Sequence, residues 1–140
     1  FFNDDNCNFG YGKADTLEKM RYNISLWLDS YSSKSFIRFS IVDKSSAHVV
    51  GTVEMFGGKH GVLRIDIMPE YERENYLSEF FEMADRFFDD FHCGCIVSKA
   101  IPEAAERIRA LTKCGYAPYA QSDVWSRPHY YMKKQAAGAF

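Results

Sequence analysis

Between residues 15 and 31 the apolar positions Leu17, Met20, Ile24, Trp27, Leu28 and Tyr31 recur at spacings of three and four. That period predicts an amphipathic helix, and Asp15 with Glu18 offers a capping box at its start. The period then drops to two. Residues 37–42 (IRFSIV) alternate, residues 48–56 (HVVGTVEMF) are rich in Val and Thr, and the polar run DKSSA between them predicts a hairpin. A glycine-rich turn at 57–61 leads into a third strand at 62–68 (VLRIDIM), which Pro69 stops. On that strand Leu63, Ile65 and Ile67 share one face, and Arg64, Asp66 and Met68 share the other.

Residues 75–91 carry a wide apolar stripe of Leu77, Phe80, Phe81, Ala84, Phe87, Phe88 and Phe91, with Glu79, Glu82, Asp85, Arg86 and Asp89 on the outer side. They predict a helix packed on a sheet. Residues 93–99 (CGCIVSK) predict a fourth strand. Residues 103–113 predict a helix opened by Pro102 and closed by Gly115. Residues 116–134 predict two last strands around Ser126-Arg127-Pro128, and residues 1–13, without period, predict a loop. There is no repeat, low-complexity run or linker, so the order of elements predicts a single α/β (α+β) domain over residues 1–140.

Composition narrows the function. The 140 residues are 46% apolar and 16% aromatic, enough for a real core. Lys plus Arg number 17 against 19 Asp plus Glu, which excludes a nucleic-acid binder working through a broad basic face. No apolar run reaches the ~18–20 residues of a membrane helix, and the start has no signal-peptide pattern. Four cysteines (Cys7, Cys93, Cys95, Cys114) are few for a disulfide scaffold, so a reduced, cytoplasmic protein is expected. Phe1-Phe2 lacks an initiator Met, so the natural chain is expected to begin earlier.

One junction carries chemistry. A strand ends at Ile67-Met68-Pro69, a polar loop follows at 70–74, and a helix opens near Asn75. A helix N-terminus presents unpaired N–H groups and partial positive charge, which suits a phosphate. The segment IDIMPEYERENYLSEFF, followed by IPEAAERIRALTKCGY, resembles the GNAT superfamily of acyl-CoA-dependent N-acetyltransferases, in particular the branch that acetylates ribosomal-protein N-termini and similar amines. Pro69, Glu70, Tyr71 and Glu79 match the family's first segment, and Pro102, Glu103, Lys113, Gly115 and Tyr116 match its second. The resemblance spans roughly residues 17–134. It implies a mixed, mostly antiparallel sheet flanked by helices, lacking the family's first strand and helix. Two central strands would splay to admit pantetheine.

The resemblance implies acetyl-CoA as cofactor and a small-molecule or peptide amine as acceptor; a homodimer is compatible with it. Ile67 and Met68 would hold the pantetheine and acyl group, and Arg73, Glu74, Asn75, Tyr76, Leu77 and Ser78 the pyrophosphate. The Met68 backbone N–H would hold the acyl oxygen. A base would come from Asp66, or from Glu54, His129, Tyr130 or Tyr131. The chain also departs from the family. Its two small phosphate-loop residues are Asn75 and Leu77 here, and Glu72 and Glu74 oppose an anion. Leu111 stands where many members carry an acid Tyr, and Ala104 where an Asn is common.

These departures keep a second reading open, a catalytically inactive GNAT-like domain that binds or regulates. A third, an unrelated α+β interaction domain, requires the segment match to be accidental, and a sheet without splayed central strands would favour it. His92-Cys93-Gly94-Cys95 invites a metal, but structural zinc needs four ligands and only distant Cys7 and Cys114 remain, so no metal site is expected. The phenylalanine stripe has an acidic outer side, which fits a core helix and not a membrane face.

Overall fold

The computed structural model describes residue 6, residues 15–119 and residues 129–136. The loop expected over 1–13, Asn6 apart, and the turn at 126–128 lie outside the described residues. The elements are α1 (Leu17–Ser32), β1 (Phe36–Asp43), β2 (His48–Phe56), β3 (His60–Ile67), a 3₁₀ turn (Pro69–Tyr71) and α2 (Glu74–Met83). A second 3₁₀ turn (Ala84–Arg86), α3 (Phe87–Asp90), β4 (Cys95–Lys99), α4 (Ala105–Lys113), β5 (Ala117–Tyr119) and β6 (Tyr130–Lys134) follow. The expected order is present. The long helix of 75–91 is instead two helices joined by a tight turn, and Phe81, Ala84, Phe87 and Phe88 are all buried across it.

The strands form one mixed sheet in the order β1-β2-β3-β4-β6-β5. All neighbours are antiparallel except β3 and β4, which run parallel. One sheet face carries Val53, Met55, Leu63, Ile65, Ile67 and Ile96, and packs against Leu77 and Phe81 of α2 and Ala110 and Leu111 of α4. The other face carries Val62, Val97 and Tyr130, with Phe56, Tyr119 and Met132 against them. Gly51 opposes Ile67 across β2 and β3. A Cβ there would sit 2.3 Å from the Asp66 carbonyl oxygen, so only glycine allows the close approach. Gly115, at φ +85°, ends α4 as expected.

Helix α1 departs most from expectation. Its cap is Thr16, whose hydroxyl accepts from the Lys19 N–H, while Asp15 pairs with the Lys19 ammonium at 2.7 Å. None of its residues is buried, and Leu17 and Leu28 are 67% and 64% exposed. Its anchor is Trp27, which stacks on Phe36 and receives the Arg38 guanidinium 3.8 Å from its ring centre.

Candidate functional site

Strands β3 and β4 pair only over His60–Val62 with Cys95–Val97. Beyond that, β3 continues five residues to Ile67 and β4 two to Lys99, so the strands part toward their C-terminal ends. In open sheets that is where ligands sit. The register decides which backbone groups face the gap. The Met68 N–H donates to the Val50 carbonyl at 2.9 Å, so even-numbered positions of β3 exchange hydrogen bonds with β2. Met68, the donor expected from sequence, is therefore already engaged. The alternation turns the Ile67 main chain toward the gap instead.

Asp66 is 4% exposed and projects to the sheet face away from α2. Tyr130, 2% exposed, shares that face from the other side of the gap. Glu54 lies between Arg38 and Arg64 in register and pairs with both, at 2.5 Å and 3.1 Å. Both of its carboxylate oxygens are thus engaged. His129 is exposed, with its carbonyl accepting from the Ala100 N–H, and Tyr131 packs on the helix-covered face.

The loop after β3 is built on local bonds. The N–H groups of Tyr71, Glu72 and Arg73 donate to Met68, Pro69 and Tyr71 carbonyls. The Tyr71 hydroxyl donates to Asp43 at 2.9 Å, tying the loop to the β1–β2 turn. Bonds from Ser45, first of all its backbone N–H, hold the Asp43 carboxyl well below the usual carboxylate range. Leu77 is fully buried in the core, so its bulk does not obstruct the loop, and its N–H caps the Arg73 carbonyl at 3.0 Å. Ser78 is buried as well. Of the residues expected to hold a pyrophosphate, Arg73, Asn75 and Tyr76 are exposed at the mouth, whereas Leu77 and Ser78 face inward. The N–H groups of Asn75 and Tyr76 have no partner among the described residues.

Two acidic side chains occupy the rest of the mouth. The Glu74 N–H donates to Glu106 Oε2 at 2.8 Å. That bond, more than its Arg109 partner, holds the Glu106 carboxyl below its ordinary value. Arg109 also pairs with Glu74 at 3.0 Å. Beneath them Glu72 takes a two-pronged bond from Arg107, at 2.6 and 2.8 Å. Arg107 is fully buried, and its Nη1 has no partner among the described residues. A carboxylate at a helix N-terminus satisfies the same amide and dipole that a phosphate would. The sequence flagged Glu72 and Glu74 as unfavourable but gave no sign of Glu106 or Arg107. Those residues lie 32 and 35 positions from their partners, beyond any local pattern.

Among the described residues no helix is long and apolar enough to cross a membrane, and no group of three or more His, Cys, Asp or Glu side chains gathers as for a metal ion.

The fold is that of the GNAT N-acetyltransferases. A ribosomal-protein-S5-alanine acetyltransferase from Vibrio fischeri superposes with a TM-score of 0.72 and 14% identity, over 90% of this chain and 78% of that one. A spermidine N-acetyltransferase from Vibrio cholerae, in a point-variant form, gives 0.59 and 16% over 89% and 80% of the two chains. A second variant of that enzyme gives 0.61 and 16% over 96% and 84%. No protein-family model and no curated protein sequence matches the chain.

Proposed function

We propose that the chain is an N-acetyltransferase that moves an acetyl group from acetyl-CoA to a primary amine. The observation that carries this reading is the gap between β3 and β4, toward which the register turns the Ile67 main chain. Acetyl-CoA supplies the acyl group as a thioester. Ile67 takes the role expected of Met68 and holds the acyl arm by its backbone. The Asn75 and Tyr76 N–H groups, with Arg73 beside them, hold a phosphate once Glu106 leaves the Glu74 amide. Asp66, buried beside the gap, attracts the acceptor ammonium and takes its proton. Leu111 offers no proton to the departing sulfur, but a thiol of pKa ~8.5 leaves as thiolate without much help.

The names of the structural neighbours, one acting on a ribosomal-protein alanine and one on spermidine, support an amine acceptor without choosing between peptide and polyamine. Among the described residues Cys93, Cys95 and Cys114 are buried free thiols, which suits a reducing cytoplasmic setting.

The Glu106 and Glu72–Arg107 contacts favour a second reading, a GNAT-fold module that has closed its cofactor site and binds or regulates. One experiment separates the two. The chain is titrated calorimetrically with millimolar acetyl-CoA, and thiol release is then followed with spermidine and with an alanyl peptide. Binding heat with thiol release supports the enzyme. Heat without release leaves a CoA-binding module. Neither heat nor a shift in melting temperature refutes both cofactor-dependent readings and leaves the closed module.

A further inference from the structure

At the end of β3 and β4 opposite the gap, His60 and Cys95 are register partners in the parallel pair. Cys95 Sγ lies 3.2 Å from His60 Nδ1. Both line a cavity of about 920 Å³, whose walls also include Lys59, Lys134 and Tyr119. Among the described residues nothing lies within 4 Å of where a Cβ on Gly94 would be, beside Cys95. The other two described cysteines have structural partners. Cys93 donates to the Phe87 carbonyl and Cys114 to the Ser78 carbonyl, each at 3.6 Å. Acetyl transfer at the far end of the strands uses neither Cys95 nor His60.

We propose that Cys95 and His60 form a nucleophile–base pair for thiol–disulfide exchange with a small anionic disulfide, drawn into the cavity by the Lys59 and Lys134 ammonium groups. The thiol and the imidazole are in hydrogen-bond contact, and burial pushes the Cys95 thiol up while Lys134 only partly offsets it. In the exchange His60 takes the Sγ proton as Cys95 attacks one sulfur of the incoming disulfide. The ligand's S–S bond breaks and a new one forms at Cys95. The other half leaves as a thiolate and is protonated by the imidazolium. The leaving half of the ligand is reduced to a thiol as the Cys95 sulfur rises to the disulfide level, and the other half stays in the mixed disulfide, so one disulfide bond is exchanged for another and no further oxidant is needed.

The probe is oxidised glutathione, with the dicationic disulfide cystamine as its charge-reversed control, and adducts on the full chain are located by peptide mass spectrometry. Cys95 is expected to be modified before Cys93 and Cys114, and faster by oxidised glutathione than by cystamine. His60→Asn is expected to slow the Cys95 adduct by roughly a hundredfold, the usual scale of general-base assistance, with the melting temperature unchanged. Lys59→Glu with Lys134→Glu is expected to reverse the preference between the two disulfides. Equal modification of Cys93, Cys95 and Cys114 in the unaltered chain, an unchanged rate in a folded His60→Asn, or indifference to ligand charge overturns the proposal.

Discussion

Replacing Glu72 by Ala strands the Arg107 guanidinium. That group is fully buried, one of its nitrogens has no partner among the described residues, and its two side-chain bonds go to Glu72. Removing one member of a buried ion pair costs about 3–5 kcal/mol, because the remaining charge keeps its desolvation penalty and loses its compensation. For a chain of this size each kcal/mol moves the melting temperature by about 3–4 °C, so Glu72→Ala is expected to lower it by roughly 10 °C or more. The same change uncovers a cation beneath the N-terminus of α2 and removes an anion from it. Affinity for acetyl-CoA is therefore expected to rise while stability falls. Denaturant unfolding gives the first quantity and calorimetry the second. The combination Glu72→Ala with Arg107→Met is expected to be more stable than Glu72→Ala alone, since the stranded charge is gone. A melting temperature within about 2 °C of the parent for Glu72→Ala would refute the argument, because it would mean that Arg107 reaches water or another anion.

Glu106→Gln is expected to tighten acetyl-CoA binding, measured by calorimetry, because the neutral amide is easier for a phosphate to displace from the Glu74 N–H. The Glu106 carboxyl is held low in the folded chain, so its contribution to stability is fully present above the ordinary glutamate value and is lost as pH falls through the lowered one; acid unfolding curves of Glu106→Gln are expected to lack that component. Gly51→Ala drives a methyl into the Asp66 carbonyl and the Ile67 backbone, and is expected to destabilise by about 1–3 kcal/mol in denaturant titration. Asp66→Asn is expected to lower the rate of amine acetylation by ~10²–10⁴ with acetyl-CoA affinity unchanged.

The local pattern determined much of this protein. Alternation at 37–42 and 48–56, the Pro69 stop, the phenylalanine stripe and Gly115 placed the strands, the junction and the helix ends, because a period of two or of 3.6 and a backbone constraint act over a few residues. The same junction, with the Pro-Glu and Lys-Cys-Gly-Tyr segments, led to the GNAT fold. Tertiary structure decided what fills the junction. Pairing between Glu74 and Glu106 or Glu72 and Arg107 spans more than thirty residues and leaves no periodic trace. The exposure of α1 followed from which surfaces met, and so did the meeting of Cys95 with His60. Met68 shows the limit most plainly. Sequence placed it at the end of the strand, but the parity of β2–β3 pairing, a property of two strands together, turned its N–H to Val50 and gave the gap to Ile67.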